Sequence, residues 1–268
     1  MLDFKNRYGT CALIVGAAEG IGEAFSRELA GKKINLIMVD NQKEKMVNLA
    51  RQLEKEFLIE TKCLHIDLSE TDAVQKIMFE TENLDCRLLI YVAAFSRVKP
   101  FLSVTDEELD QFITINCRNQ IGLVHSFASK LKKEEGGGIV LLSSLAGLIG
   151  MQIVATYAAT KAFTWNLAEA LHHELKPMNI DVMACIAGAT ATPTYLKTNP
   201  KYGLLKPKVQ QPSMVAKSAL DKLGKRTLYI PGLSNRLNYF LLTRILPRRW
   251  AASIANNTMG KMYRDKAK

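Results

Sequence analysis

Cys11-Ala-Leu-Ile-Val-Gly-Ala-Ala-Glu-Gly-Ile-Gly22 runs from five unbroken apolar residues into a glycine-rich turn and then a helix-length segment. An apolar run without polar alternation reads as a strand buried on both faces, and such strands belong to parallel sheets covered by helices. The glycines stand at Gly16, Gly20 and Gly22, a GxxxGxG spacing rather than the commoner GxGxxG. A turn of this kind lets backbone approach a pyrophosphate, and the helix N-terminus beyond it offers free N–H groups and positive potential. Its place directly after the first strand predicts a dinucleotide site that draws on Gly16, Ala18, Glu19, Gly20 and Ile21.

The same alternation continues outward. Apolar runs recur at 34–39, 63–66, 87–93, 138–142, 180–185 and 227–230. Helix-length segments lie between them, at 18–30, 42–57, 70–79, 105–131 and 155–175. Each crossover is long enough to join parallel strands. The expected fold is α/β, a doubly wound parallel sheet of about seven strands of the Rossmann type. No linker, repeat or low-complexity segment divides it, so residues 1–268 read as a single domain.

The composition is that of a soluble globular chain, with 48% hydrophobic and 23% charged residues. No secretory signal and no run long enough to span a bilayer is evident, so a cytoplasmic protein is expected. Five cysteines, an odd number without a CxxC, read as free thiols of a reducing compartment, and no metal site is expected. The four histidines are scattered, and the His172-His173 pair reads as solvated or structural. The net charge of +10, much of it near the C-terminus, fits either an anionic ligand or surface or simple solubility. No nucleic-acid motif accompanies it, so no nucleic acid is expected.

Asp40 closes the second apolar run. A carboxylate there accepts hydrogen bonds from the adenosine ribose hydroxyls and repels the extra phosphate of NADP, which favours NAD. Lys43 and Lys45 lie near enough in sequence to keep NADP open. Asp67, after the third run, suits an adenine amino group, a helix N-cap, or both.

At the other end of the cleft, Tyr157-Ala-Ala-Thr-Lys161 sets a phenol and an ammonium one helical turn apart. A neighbouring ammonium lowers a phenol's pKa, so the pair can exchange a proton with a carbonyl or alcohol oxygen. Ser144 follows the fifth run, where ligands sit in an open parallel sheet, and its hydroxyl can bond the reacting oxygen. Asn116 falls mid-helix, where it can also satisfy a neighbouring backbone group.

These residues in this order, with Gly188 and Thr192, resemble the short-chain dehydrogenases/reductases over essentially the whole chain. The resemblance implies that Ser144 orients the substrate oxygen and Tyr157 is the acid/base. It implies that Lys161 binds the nicotinamide ribose and lowers the Tyr157 pKa, and that Asn116 holds a proton-relay water. Leu68, Ala93, Gly188, Thr190 and Thr192, with Tyr157 and Lys161, join the cofactor contacts. Three departures stand out: Val15 replaces the family's Thr, Tyr91-Val-Ala-Ala94 its Asn-Asn-Ala-Gly, and Ala187-Gly188 its Pro-Gly. None removes a catalytic group.

Residues 189–212, with four prolines, match the family's substrate loop and read as a lid or a surface excursion. Residues 234–268 read as a helical extension. Its apolar stretch 237–246 and the following Arg248-Arg249-Trp250 leave three uses open: packing on the body or another subunit, a cap over an apolar pocket, or a basic amphipathic membrane contact. Comparable extensions in the family accompany ketosteroid or 3-oxoacyl substrates. The leading expectation is an NAD-linked dehydrogenase/reductase of a bulky secondary alcohol or ketone such as a hydroxysteroid. It would act as a homodimer or homotetramer. The alternatives are an NADP-dependent 3-oxoacyl-chain reductase and a non-catalytic dinucleotide-binding regulatory protein.

Overall fold

The computed structural model describes residues 2–133, 136–202 and 207–266. Seven parallel strands form one sheet: β1 (Cys11–Val15), β2 (Asn35–Asp40), β3 (Thr61–His65), β4 (Cys86–Tyr91), β5 (Gly137–Ser144), β6 (Ile180–Ala187) and β7 (Leu228–Tyr229). Their order is β3-β2-β1-β4-β5-β6-β7. The order reverses between β1 and β4, so the crevice at their carboxyl ends is the natural ligand position.

The helices are α1 (Leu2–Tyr8), α2 (Gly20–Gly31), α3 (Lys43–Phe57), α4 (Ala73–Thr81), α5 (Asp106–Ile113), α6 (Asn119–Lys133), α7 (Ala155–Leu175), α8 (Pro193–Lys197), α9 (Pro212–Leu220), α10 (Leu233–Phe240) and α11 (Arg248–Met262). The stretch expected as one helix over 105–131 is α5 and α6 joined by a π-turn, Thr114–Arg118, which contains Asn116. A capping box between Thr105 and Glu108 starts it.

Alternate residues of each strand enter opposite cores. Ala12 and Ile14 join α2, α3 and α9 on one face, and Leu13 and Val15 join α4, α6 and α7 on the other. This two-sided burial is why the strand segments are continuously apolar. Cys11, Cys86 and Cys185 are buried in the sheet, and all five cysteines are unpaired. His172 is structural, its Nδ1 lying 3.1 Å from Val182 O.

Helix α1 carries no apolar run that would announce it. It is held by tertiary contacts: Tyr8 donates to Asp181 Oδ2 at 2.8 Å and Arg7 Nε at 2.7 Å, joining the N-terminus to β6. Asp67 does not cap α4, which begins six residues later at Ala73; its Oδ1 instead accepts from Ser69 N at 2.8 Å and closes a short turn. Replacing Asp181 by Ala strands the hydroxyl of buried Tyr8, while Arg7 recovers solvent. The expected loss is about 1–2 kcal/mol in urea unfolding, with nucleotide binding unchanged.

Candidate active site

The glycine turn is shaped by close approach. Gly16 has φ +85°, and a Cβ there would lie 2.7 Å from Ala93 N. A Cβ on Gly22 would sit 1.7 Å from Gly16 O. Val15 O accepts from both Val92 N and Ala93 N at 2.9 Å, tying the end of β1 to the segment after β4 at the reversal point. Ala93 thus acts here through its backbone. The far lip is equally close: a Cβ on Gly20 would meet Thr192 Cγ2 at 2.9 Å.

Glu19 occupies the N-cap position of α2 but does not cap it; its carboxylate pairs with Lys45 at 2.7 Å. The first N–H groups of α2 thus have no side-chain cap, and the bare cradle in front of them suits a pyrophosphate. Ala18 N donates to Asp40 Oδ2 and Gln42 N to Asp40 Oδ1, both at 2.9 Å, fixing that carboxylate beside the turn. Ile21 and Leu68 turn their side chains into the two cores, which leaves their backbones for any contact with a ligand. Asn119 Nδ2 holds the segment after β3 by donating to Leu68 O at 2.8 Å and Glu70 O at 3.0 Å.

Ser144 ends β5, and Tyr157 and Lys161 rise from the first turns of α7. The Ser144 hydroxyl stands beside the Tyr157 phenol and accepts from Ala146 N at 3.2 Å. Lys161 is buried; its Nζ donates to Leu142 O at 2.7 Å and lies 5.7 Å from the centre of the Tyr157 ring. Ser143 Oγ donates to Lys161 O at 2.7 Å, closing the seam between β5 and α7 from the other direction.

Lys161 is not among the influences on the Tyr157 phenol. Burial pushes the Tyr157 phenol up, and the Ser144 hydroxyl only partly offsets it. Burial also brings Lys161 down to about 8. Each group resists charge for the same reason, its removal from solvent by burial.

Both amide hydrogens of buried Asn116 are spent, one on Phe95 O at 2.9 Å and one on Thr160 Oγ1 at 3.0 Å, while its Oδ1 accepts from Phe95 N at 2.7 Å. Thr160 in turn donates to Tyr157 O at 2.9 Å. Tyr91, standing where the family has asparagine, is fully buried and donates to Ile115 O at 2.8 Å. It braces the π-turn from below.

Gly188 abuts Asn235, whose Nδ2 would lie 2.4 Å from an added Cβ. Thr190 donates to Gly188 O at 2.9 Å, and Thr192 Oγ1 caps α8 by accepting from Tyr195 N at 3.1 Å. Of the loop expected over 189–212, residues 203–206 lie outside the described residues.

The C-terminal end of α11 closes over this loop. Tyr263 OH and Thr198 Oγ1 are 2.9 Å apart, Lys201 N donates to Met262 O at 2.8 Å, and Lys201 pairs with Asp265. Tyr195 and Tyr202 join through their hydroxyls at 2.8 Å, and Ile153, Met262 and Tyr263 pack with Val98, Tyr202 and Met259. Sequence reasoning missed Tyr195, Tyr202 and Tyr263, because single tyrosines in irregular segments carry no periodic signal. A separate groove of about 440 Å³ lies across the loop after Ser144, beside Gly147, Ala155, Ala159 and Arg248; neither Ser144 nor Tyr157 lines it. Among the described residues, no cluster suits a metal ion and no helix is long and apolar enough to cross a membrane.

The family model described as short chain dehydrogenase matches residues 10–203. The chain belongs to the short chain dehydrogenase family. As a short chain dehydrogenase it is an oxidoreductase that works with a nicotinamide cofactor. It is 32% identical over 235 residues to the 7beta-hydroxysteroid dehydrogenase of Clostridium sardiniense, a match covering 88% of this chain and 90% of that one. It is 30% identical over 232 residues to the very-long-chain 3-oxoacyl-CoA reductase of Meyerozyma guilliermondii, covering 81% of this chain and 66% of that one. A solved 7beta-hydroxysteroid dehydrogenase structure superimposes with a TM-score of 0.86 at 26% identity, over 94% of this chain and 98% of that one.

The buried lysine gives this dehydrogenase a pH signature. Below about pH 8 both folded and unfolded chains hold the Lys161 proton, and burial of the ammonium costs stability. Between about 8 and the ordinary lysine value of 10.5 the folded chain releases it first, so that cost is relieved as pH rises. Relative to Lys161→Met, the wild type should gain about 3 kcal/mol across that window in paired urea titrations. A pH-independent difference would contradict the burial argument.

Proposed function

We propose that the chain interconverts a hydroxyl and a ketone on a bulky apolar molecule such as a hydroxysteroid, with NAD as partner. The observation that carries this reading is the Ser144 hydroxyl beside the Tyr157 phenol, with the buried Lys161 one turn along α7, at the carboxyl edge that also bears the glycine cradle. The cofactor, when bound, supplies or accepts the hydride. Gly16, Ala18, Glu19, Gly20 and Ile21 hold its pyrophosphate, Asp40 its adenosine ribose, and Asp67 and Leu68 its adenine end. Ala93, Gly188, Thr190 and Thr192 hold its nicotinamide end.

The chain's own groups handle the proton. Ser144 holds the substrate oxygen. In reduction the Tyr157 phenol donates its proton to that oxygen, and in oxidation the phenolate takes it back. Lys161 stabilises the phenolate as it forms and donates to the nicotinamide ribose. Asn116 fixes the first turn of α7 through Thr160, and a relay water there would have to rest on its carbonyl groups, since both amide hydrogens are spent.

Two observations favour NAD over NADP. Asp40 presents a fixed carboxylate where the extra phosphate would sit. Lys45, one of the two lysines that kept NADP open, is committed to Glu19 at 2.7 Å and Gln42 Oε1 at 2.6 Å. The apolar cluster of Val98, Ile153, Met259 and Met262 beside the loop, together with the relatives' named substrate, supports a steroid-sized molecule. An acyl-chain substrate is the second reading, favoured by the 3-oxoacyl-CoA reductase relative.

On this reading residues 1–268 act as one domain, with 189–212 as the substrate lid and 234–268 as the extension that closes it. The exposed small-residue face of α7, with Ala155, Ala159 and Ala170, suits a homodimer or homotetramer contact. The unpaired cysteines suit the cytoplasm.

Tyr157→Phe removes only the proton carrier. It should lower kcat on a hydroxysteroid by roughly a thousandfold while NAD affinity changes little, read at 340 nm and by calorimetry. Near-wild-type turnover in that variant refutes the mechanism. Asp40→Ala removes the repulsion toward a 2′-phosphate and should narrow an NAD preference by roughly tenfold or more in kcat/KM. A wild-type chain that already prefers NADP refutes the assignment of Asp40.

A further inference from the structure

The C-terminal helices carry more apolar side chains than the body of the protein covers. On α10 and the π-turn that extends it, Leu241–Ile245, one face points inward. Asn235 is buried and donates to Pro231 O at 3.1 Å, Tyr239 packs on the sheet core, and Leu242 and Leu246 pack with Ile149, Ala251 and Ala255. A second stripe, Leu233, Leu237, Phe240, Leu241 and Ile245, recurs on the other side and is exposed, Leu233 by 76% and Ile245 by 59%. Helix α11 adds exposed Trp250 and Ile254. A surface helix with its apolar stripe already buried ordinarily presents polar residues to water, and this one does not.

The charge of the same segment is one-sided. Between residues 222 and 264 stand nine Lys and Arg and no Asp or Glu, which leaves the rest of the chain with a net charge of only +1. All nine are exposed. Arg236 and Arg244 flank the outward stripe, and Arg248 and Arg249 precede Trp250. Symmetric docking of a second copy through this face would set cations against cations with no carboxylate between them. Aliphatic and aromatic side chains bordered by arginines match the boundary between acyl chains and anionic headgroups.

We propose that the outward face of residues 233–254 seats on an anionic lipid bilayer. Leu237, Phe240, Ile245 and Trp250 enter the acyl boundary, and Arg236, Arg244, Arg248 and Arg249 meet lipid phosphates. The attachment is peripheral and reversible by salt, because the cations lie in solvent and their attraction is screened.

The test is sedimentation of the full chain with vesicles of phosphatidylglycerol and phosphatidylcholine. The chain should pellet with these vesicles in low salt and roughly tenfold less with pure phosphatidylcholine or in 0.5 M NaCl. Trp250 emission should shift to the blue on binding. Leu237→Glu/Phe240→Glu/Ile245→Glu and, separately, Arg244→Glu/Arg248→Glu/Arg249→Glu should each lose roughly tenfold or more in vesicle binding while keeping NAD affinity. Failure of the wild type to pellet with anionic vesicles overturns the proposal, as does equal pelleting with neutral ones. It is also overturned if the wild type is a dimer that the leucine-stripe variant makes monomeric and neither binds vesicles; the face is then a contact between copies.

Discussion

Inside the seam between β5 and α7, Lys161 Nζ donates to Leu142 O at 2.7 Å while Lys161 O accepts from Ser143 at the same distance. The two bonds cross, so the strand bearing Ser144 and the helix bearing Tyr157 cannot slide past one another without breaking a buried polar contact. Two further features lock them. Trp165 donates to Gly147 O at 3.2 Å, and an added Cβ on Gly147 would lie 2.6 Å from Ala162 N, so only glycine lets the loop come that near. Ser144 and Tyr157 are brought together by this seam. A catalytic geometry set by rigid elements underneath it costs little reorganisation during reaction.

The same seam carries a burden. Holding a buried ammonium is unfavourable, and the pKa of about 8 at Lys161 records it. A protein selected for stability alone would place an apolar residue there. The buried lysine is intelligible as a group kept for a ligand whose hydroxyls give it a partner, which matches a cofactor ribose. Tyr157 follows the same logic, since burial holds its phenol in the neutral form.

Much of the architecture was legible because burial on both faces of a parallel sheet writes itself as unbroken apolar runs. Cys11–Val15 and Ala155–Leu175 came out with the boundaries the structure has. The glycine turn was legible because Gly16 and Gly22 have no room for a side chain. What escaped was held by tertiary contact alone. Helix α1 owes its place to Asp181, far along the chain, and Tyr263 owes its role to a threonine on a distant loop. Of the two uses open to Asp67, the helix cap gave way to a short turn, because a turn and a helix start share their preference for a short acceptor. The fate of Asn116, bonded to the Phe95 backbone and Thr160, depends on a π-turn with no sequence signature.

The most direct test of the account is a crystal structure of this chain grown with NAD. The account predicts the adenosine ribose beside Asp40 and the nicotinamide end between Thr190 and Tyr157. It also predicts that the Lys161 ammonium contacts the neighbouring ribose. A dinucleotide seated elsewhere on the sheet, or a Tyr157 hydroxyl turned away from the nicotinamide, would contradict it.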